Sequence, residues 1–281
     1  MTLPALLKKI VMVTGDLPTI PYTAQAVLQK LSDPQATSKE IEDIIIRDPS
    51  LTARILKLAN SPFYAQARTI KTIKEATTVI GFNTLRSLVL ASAVREMFKV
   101  FGLVEKMLWE HAVTVGFISR FIALKISHRS SEEYFIAGLL HDIGKIVLQI
   151  KVPDRMAQVI EELYEEERDD STIVETKVFG FNHAHVGQLI AKKWLFSQEI
   201  EEAIGYHHWP GRAKINPSMC YAVHLANAIS HKLEIGPIKT PHVDLSKTIS
   251  AAFFHLSPEE LEKLVEECHQ MLQVEAGDMF K

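Results

Sequence analysis

The sequence predicts an all-α protein, and three observations carry this prediction. The chain has 281 residues, which is long enough to bury a core without disulfide or metal staples. Only 12 glycines and 12 prolines are present, so turn-forming residues are scarce for a many-stranded protein. Apolar residues recur with the helical period along most of the chain, and no alternating run is long enough to indicate a strand. We therefore expect packed helices without a sheet.

The first hundred residues predict a pack of short helices. Thr37-Ser-Lys-Glu40 has the spacing of a capping box, and the apolar face of residues 41–45 follows it. Asp48-Pro49 supplies an N-cap acceptor and a first-turn proline for the next helix. That helix should end at Asn60-Ser-Pro62. Gly81-Phe-Asn83 then separates two further helices.

Beyond residue 103 the predicted helices become longer. Ser130-x-x-Glu133 has the capping spacing for one of them, and residues 236–244 predict an irregular connector with two prolines. The helices predicted from residue 73 onward are 73–80, 85–98, 109–126, 132–150, 153–167, 184–194, 198–206, 219–232 and 258–273. We expect three parts: an amino-terminal helical subdomain (1–100), a helical bundle (101–235), and a connector with a carboxy-terminal helix (236–281).

Charge, hydropathy and cysteine usage exclude several classes of protein. Lys and Arg number 31 against 34 Asp and Glu, a net charge of −3, so direct binding of nucleic acid is not indicated. No basic segment followed by an apolar run marks a secretion signal, and uncharged apolar runs fall well short of the ~20 residues that span a bilayer. Cys220 and Cys268 are isolated, so neither a disulfide framework nor a thiolate zinc site is expected. We expect a cytoplasmic protein without membrane association.

His141-Asp142 and Lys145 place three polar side chains in an otherwise apolar helical stretch. Imidazole nitrogen and carboxylate oxygen together are typical ligands of zinc, iron or manganese. Neighbouring helical positions point about 100° apart, so the two side chains would lean toward an ion from different sides. Lys145 shares a face with Asp142 and would neutralise it or meet a bound anion. A hydrogen-bonded His–Asp pair in the core is the alternative.

Further histidines extend this pair into a ligand set. His111 lies on the preceding long helix, which would run antiparallel to the His141 helix if the two are neighbours. His183 is four residues from Gly187 and shares its face, so we favour it over His185, which we expect to face solvent. His207-His208 ends a predicted helix, where the dipole alone also stabilises protonated histidine. The predicted metal ligands are His111, His141, Asp142, His183, His207 and His208.

The order of these residues resembles the HD superfamily of metal-dependent phosphohydrolases, in the extended arrangement of the HD-GYP cyclic-dinucleotide phosphodiesterases. The amino-terminal segment narrows the resemblance to the HDOD family, the HD-related output domain. The segments that carry it are Leu17-Pro-Thr-Ile-Pro21, Arg47-Asp-Pro-Ser-Leu51, Leu58-Ala-Asn-Ser-Pro-Phe-Tyr64 and residues 76–81. The match extends from about Gly15 to His231.

The sequence departs from the enzyme pattern in two places. HD phosphohydrolases complete the metal site with a late aspartate, but the corresponding stretch here is His224-Leu-Ala-Asn227. No Gly-Tyr-Pro motif follows His208. The amide oxygen of Asn227 is neutral and a weak ligand, and the substrate loop of the HD-GYP enzymes is absent. Both departures argue against hydrolysis of cyclic dinucleotides.

The HDOD resemblance implies a bacterial signalling or regulatory protein, here standing alone, with an HD-type metal site and no efficient hydrolysis. It implies one or two divalent transition metal ions (iron, manganese, zinc or nickel) and, as partner, a signalling protein or a small phosphorylated ligand. The alternative is a metal-dependent phosphohydrolase that acts on a nucleotide or cyclic nucleotide, with Asp142 and Lys145 as catalytic residues. A third possibility is a metal-free bundle in which hydrogen bonds satisfy the histidines.

Overall fold

The computed structural model describes residues 5–8, 10, 22–31, 33, 35–60, 69–98, 102–126, 131–165 and 170–279. Regular structure within these ranges is helical and includes no strand, so the predicted all-α class is confirmed. The helices are α1 (Ala5–Lys8), α2 (Tyr22–Leu31), α3 (Ser38–Ile46), α4 (Pro49–Ala59), α5 (Ile73–Phe98), α6 (Leu103–Lys125), α7 (Ser131–Leu140), α8 (Ile143–Lys151), α9 (Pro153–Glu165), α10 (Ser171–Phe179), α11 (His183–Lys193), α12 (Gln198–Tyr206), α13 (Pro217–Lys232), α14 (Ile249–Phe253) and α15 (Pro258–Met279).

The chain forms two compact units. The first unit comprises Thr19–Trp109 and Glu266–Lys281, and the second comprises Met1–Pro18 and Glu110–Val265. All predicted metal ligands belong to the second unit. The three-part division expected from the sequence stays a prediction.

Local signals in the first unit act as the sequence indicates. The Thr37 side chain accepts from the Glu40 backbone, and the Glu40 side chain accepts from the Thr37 backbone, so the capping box opens α3. The Asp48 carboxylate accepts from the Leu51 backbone at the start of α4. Gly81 has φ +77° and interrupts α5 with a kink, as the punctuation at residues 81–83 predicts. The segments 17–21 and 61–64 and the cap at Ser130 lie outside the described residues.

In the second unit, α6 and α7 form an antiparallel pair. The contacts run in opposite directions along the two helices: His111 meets His141, Phe117 meets Phe135 and Arg120 pairs with Glu132. The backbones approach closely at Gly138, where an added Cβ would lie 2.6 Å from the Val115 carbonyl oxygen. The predicted antiparallel relation of the His111 helix and the His141 stretch is therefore confirmed.

The single helix expected over 132–150 is wrong, because the chain breaks at the dipeptide that carries the site. Helix α7 ends at Leu140, a turn holds His141 and Asp142, and α8 begins at Ile143. The apolar period continues across the break, which is why the sequence pattern gives no sign of it. The turn frees the two side chains from the 100° separation of helical neighbours, so both point to one centre.

Two helices are long and apolar enough to cross a membrane by length and composition. The segments are Ile73–Arg95 and Lys106–Lys125, with mean hydropathy 1.3 and 1.2. Within the structure 61% and 72% of these windows are buried, and core helices of soluble proteins meet the same criterion. This is weak evidence for a membrane span. Both windows include charged residues, so neither is an uncharged apolar run in the sequence.

Candidate metal centre

Four parts of the second unit bring the six predicted ligands together. The α7–α8 turn carries His141 and Asp142, and α6 carries His111. Helix α11 begins at His183, and His207 and His208 directly follow the last residue of α12. These residues form two groups whose ligand atoms lie within 4.8 Å of one another: His111, His141 and Asp142, called here group A, and His183, His207 and His208, called group B.

Asp142 lies between the two groups. Its Oδ2 atom is 3.8 Å from Nε2 of His111 and 3.5 Å from Nε2 of His141. Its Oδ1 atom is 3.0 Å from Nε2 of His183 and 3.8 Å from Nε2 of His207. Each carboxylate oxygen thus faces one group, which is the arrangement of a carboxylate that bridges two ions.

Hydrogen bonds at the far side of each ring fix which nitrogen faces inward. Nδ1 of His141 donates to the Gly138 carbonyl at 2.7 Å, and Nδ1 of His207 donates to the Ile204 carbonyl at 2.8 Å. Nδ1 of His111 is 3.2 Å from the Ile235 carbonyl oxygen. Because a carbonyl only accepts, each Nδ1 carries the proton, and the Nε2 lone pair of the neutral ring points toward Asp142.

In group B the inward nitrogens lie close together. Nε2 of His183 is 3.3 Å from Nε2 of His207 and 3.1 Å from Nε2 of His208. In group A, Nε2 of His111 and of His141 is buried and has no hydrogen-bond partner among the described residues. A buried nitrogen lone pair without a donor is costly, and a cation bound at group A would remove this cost.

These spacings fit a metal ion. Nitrogen ligands about 2.0–2.1 Å from a tetrahedral ion lie about 3.3–3.4 Å from one another, close to the separations observed in group B. Imidazole nitrogens with one carboxylate suit zinc, iron, manganese or nickel. The fit argues against the metal-free bundle, in which hydrogen bonds would satisfy every histidine.

Glu175 on α10 is a buried part of the site that the sequence did not reveal. Its carboxylate accepts from Nδ1 of His183 at 2.7 Å and from the His183 backbone nitrogen at 2.7 Å. A carboxylate behind a histidine orients the ring and raises its basicity, as commonly occurs behind metal ligands. Glu175 precedes its partner by eight residues across a helix boundary, so no sequence period indicates the pairing.

Lys145 supplies the positive charge next to Asp142. Its Nζ lies 2.7 Å from Asp142 Oδ2, and both side chains are buried. Burial opposes ionisation of Asp142, but the charge of Lys145 and the nearby histidines outweigh this and hold the pKa of Asp142 well below its usual value. The carboxylate is therefore ionised and available to a cation, as the shared face of the two residues predicts.

The histidines differ in their proton affinity. Burial, followed by repulsion from neighbouring positive groups, lowers the pKa of His207 and His208 well below 6.5. Burial also acts on His183, but the Glu175 carboxylate outweighs it, so the pKa of His183 is raised.

Acid is expected to destabilise the metal-free protein. Burial lowers the pKa of His111 to about 3 and of His141 to about 4, whereas an unfolded histidine titrates near 6.5. Below pH 6.5 the unfolded chain binds more protons than the folded protein. The free energy of unfolding therefore decreases as the pH is lowered, until the pH reaches the pKa of the folded histidine. Each residue contributes a slope of about 1.4 kcal/mol per pH unit.

Thermal unfolding of chelator-treated protein between pH 8 and pH 5 would measure this slope. His141→Asn is expected to reduce the slope by the share of one proton, and His242→Asn, at an exposed position, should leave it unchanged. A Tm that is constant from pH 7 to pH 5 would contradict the burial of neutral histidines.

Glycines let the site-bearing helices approach. A Cβ at Gly144 would overlap the His183 carbonyl oxygen, and a Cβ at Gly187 would lie 2.8 Å from Ile204 Cγ2. The close backbone approach that the His183–Gly187 spacing predicts is confirmed. His185 is exposed, as expected, and its Nδ1 accepts from the Asn182 backbone within the cap of α11.

Asn227 lies on α13, three residues before Ser230 and four before His231. Those two residues contact His111: Ser230 Oγ is 3.0 Å from its Nδ1, and the His231 ring stacks on it at 4.8 Å. Helical spacing therefore directs Asn227 toward the same side of the unit as group A. Its Oδ1 is buried without a hydrogen-bond partner among the described residues. The sequence did not single out Ser230 or His231.

Solved structures of other proteins share this helical architecture. A crystal structure of an HDOD domain protein of unknown function from Geobacter sulfurreducens has a TM-score of 0.83 and 27% identity, and the match covers 97% of this chain and 96% of that one. A candidate phosphohydrolase from Shewanella amazonensis has a TM-score of 0.76 and 25% identity, with 98% and 96% covered.

An uncharacterized protein from Treponema pallidum is 23% identical over 194 residues, which is 69% of this chain but 38% of that protein. This chain therefore spans less than two fifths of that relative. The HDOD domain family itself matches residues 17–210, well over half of the sequence. With its helical architecture and its His/Asp cluster, the chain belongs to the HDOD domain family.

Proposed function

We propose that this chain is a cytoplasmic bacterial signalling protein whose HD-type centre binds one or two divalent transition metal ions. Its role is regulatory, and the centre does not hydrolyse phosphoesters efficiently. One observation carries the proposal. The Nε2 lone pairs of His111, His141 and His207 turn inward toward Asp142, because the Nδ1 atom of each ring is already engaged by a carbonyl oxygen. Burying such a set is costly without a cation.

The ligand chemistry suits iron, manganese, zinc or nickel. Group A would hold an ion through His111, His141 and Asp142, and group B would hold one through its three histidines and the second oxygen of Asp142. Glu175 and the carbonyls behind the rings would keep the donor atoms oriented.

The charge balance supports a regulatory role. Asp142 is the one carboxylate among the six ligands, and Lys145 already neutralises it at 2.7 Å. With Glu175 behind His183, the three buried charges of Asp142, Glu175 and Lys145 leave one negative charge, whereas two divalent ions would bring four positive charges. Asn227 supplies a neutral amide where a late carboxylate would lower this imbalance. An ion is therefore expected to bind less tightly than in a site with two carboxylates.

The proposed partner is a small phosphorylated ligand or another signalling protein. Lys145 and a bound cation would present positive charge to a small phosphorylated ligand, or the unit would present its surface to another signalling protein. The net charge of −3 gives no support for direct binding of nucleic acid.

A metal-dependent phosphohydrolase is the second candidate, and the shared position of Asp142 favours it. A metal ion in such a site lowers the pKa of bound water and stabilises charge on phosphate oxygens. Asp142 would bridge the two groups, and Lys145 would contact a phosphate oxygen of a nucleotide or cyclic nucleotide. The similarity to the candidate phosphohydrolase from Shewanella amazonensis supports this alternative.

Elemental analysis of protein purified without a histidine tag tests the proposed centre. We expect near-stoichiometric metal in the wild type and little in His141→Ala. His185→Ala is the matched control, because this neighbouring histidine is exposed, and it should keep its metal. Metal absent from the wild type, or equal loss in both variants, would overturn the assignment.

A further inference from the structure

The segment that follows α13 folds back onto His111. The Ile235 carbonyl oxygen is 3.2 Å from Nδ1 of His111, and Ser230 Oγ is 3.0 Å from the same atom. The Ser230 hydroxyl also donates to the Ile235 carbonyl at 3.2 Å. His111 therefore donates into a small network made by the end of α13 and the residues after it.

Gly236 presses its backbone against the same ring. Its φ is +109°, and a Cβ built there would lie 2.9 Å from His111 Cβ and 3.1 Å from its Cγ. Positive φ and lack of space both require glycine at this position. A side chain on residue 236 would have to displace His111 or the segment.

The same segment also fixes a second ring against His111. The His231 ring stacks on His111 with 4.8 Å between centroids and 16° between planes. Nδ1 of His231 donates to the Ile238 carbonyl at 2.9 Å, and the Thr240 backbone donates to the His231 carbonyl at 3.0 Å. His111 is thus held by a hydrogen bond, a close backbone and a stacked ring.

Group B is supported by other parts of the chain. His183 is held by Glu175, and His207 by Ile204. Residues 230–240 lie beyond the matched HDOD region, which ends at residue 210. Support for His111 therefore comes from a part of the chain that the family match does not include.

We propose that residues 230–240 form a clasp that positions His111, so that metal binding at group A depends on this segment and metal binding at group B does not. Ser230 and Gly236 are positioning residues, since they act through His111. For the role of the ion the inference rests on the proposed function, but the orientation of the His111 ring is independent of it.

Gly236→Ala and Gly102→Ala form a matched pair for testing the clasp. Gly102 has φ +110° and open space around a built Cβ, so the two variants share the backbone strain and only one meets His111. In titrations of chelator-treated protein with Mn²⁺, Gly236→Ala is expected to weaken one class of site about 10–100-fold and to spare the other. Gly102→Ala should bind like the wild type. Equal behaviour of the two variants would overturn the clasp.

Nitrogen-15 NMR of the metal-free protein gives a readout that needs no ion. The wild type should show His111 as a single tautomer with the proton on Nδ1. Gly236→Ala should show a mixture of tautomers. Ser230→Ala is a milder second variant, in case Gly236→Ala fails to fold, and should shift the His111 nitrogen signals while His207 stays unchanged. An unaltered His111 in both variants refutes the clasp, whereas an intact clasp without Mn²⁺ binding refutes only the proposed metal centre.

Discussion

Asp142→Asn is expected to weaken metal binding at both ligand groups, whereas His111→Ala should weaken it at group A alone. Asp142 directs one carboxylate oxygen to each group, so its charge is shared, while His111 lies only in group A. We expect an affinity loss on the order of 100-fold at group B and no detectable binding at group A. Equilibrium dialysis against Mn²⁺ with elemental analysis would measure both. Wild-type affinity at group B in Asp142→Asn would show that group B does not depend on this carboxylate.

The stability of Asp142→Asn needs its own control, because the change leaves the Lys145 charge buried without a partner. Breaking one side of a buried ion pair typically costs about 3–5 kcal/mol. The double variant Asp142→Asn with Lys145→Met should recover most of the free energy of unfolding without recovering metal. Because the helices of the first unit have their own buried faces, their helical signal should survive the single change. A global loss of helix would contradict this.

Asn227→Asp is expected to tighten metal binding at group A by about 10–100-fold and to separate the two functional candidates. An added carboxylate lowers the charge imbalance around the ions, and α13 already directs this position toward the side of His111. If the domain is a disabled hydrolase, the variant should also hydrolyse bis(p-nitrophenyl) phosphate above the wild-type rate. Tighter metal without hydrolysis would favour the regulatory function.

Two variants control this experiment. Asn227→Ala removes the amide without adding charge, so it should neither tighten metal binding nor gain activity. Combining Asn227→Asp with Asp142→Asn should abolish any gained hydrolysis, which excludes a contaminating phosphodiesterase. Unchanged metal affinity in Asn227→Asp would mean that residue 227 does not reach the centre.

Prediction from sequence succeeded where a signal is local. The capping box at Thr37 and the N-cap at Asp48 form as their spacing indicates, because both involve residues within one helical turn. It failed at the break between α7 and α8. The apolar pattern continues through His141 and Asp142, whereas the rings that their side chains meet come from α6, α11 and the residues after α12, far away in the sequence.

The sequence by itself determined the helical class and the kinds of ligand, because helical period and donor chemistry are properties of residue types and their spacing. Only the tertiary structure decided how the ligands divide into two groups, which oxygen of Asp142 faces each, and that Glu175 and Ser230 stand behind the histidines. Ser230 is 119 positions from His111. Contacts at such separations arise from how helices pack, and packing leaves no periodic trace in the residues that meet.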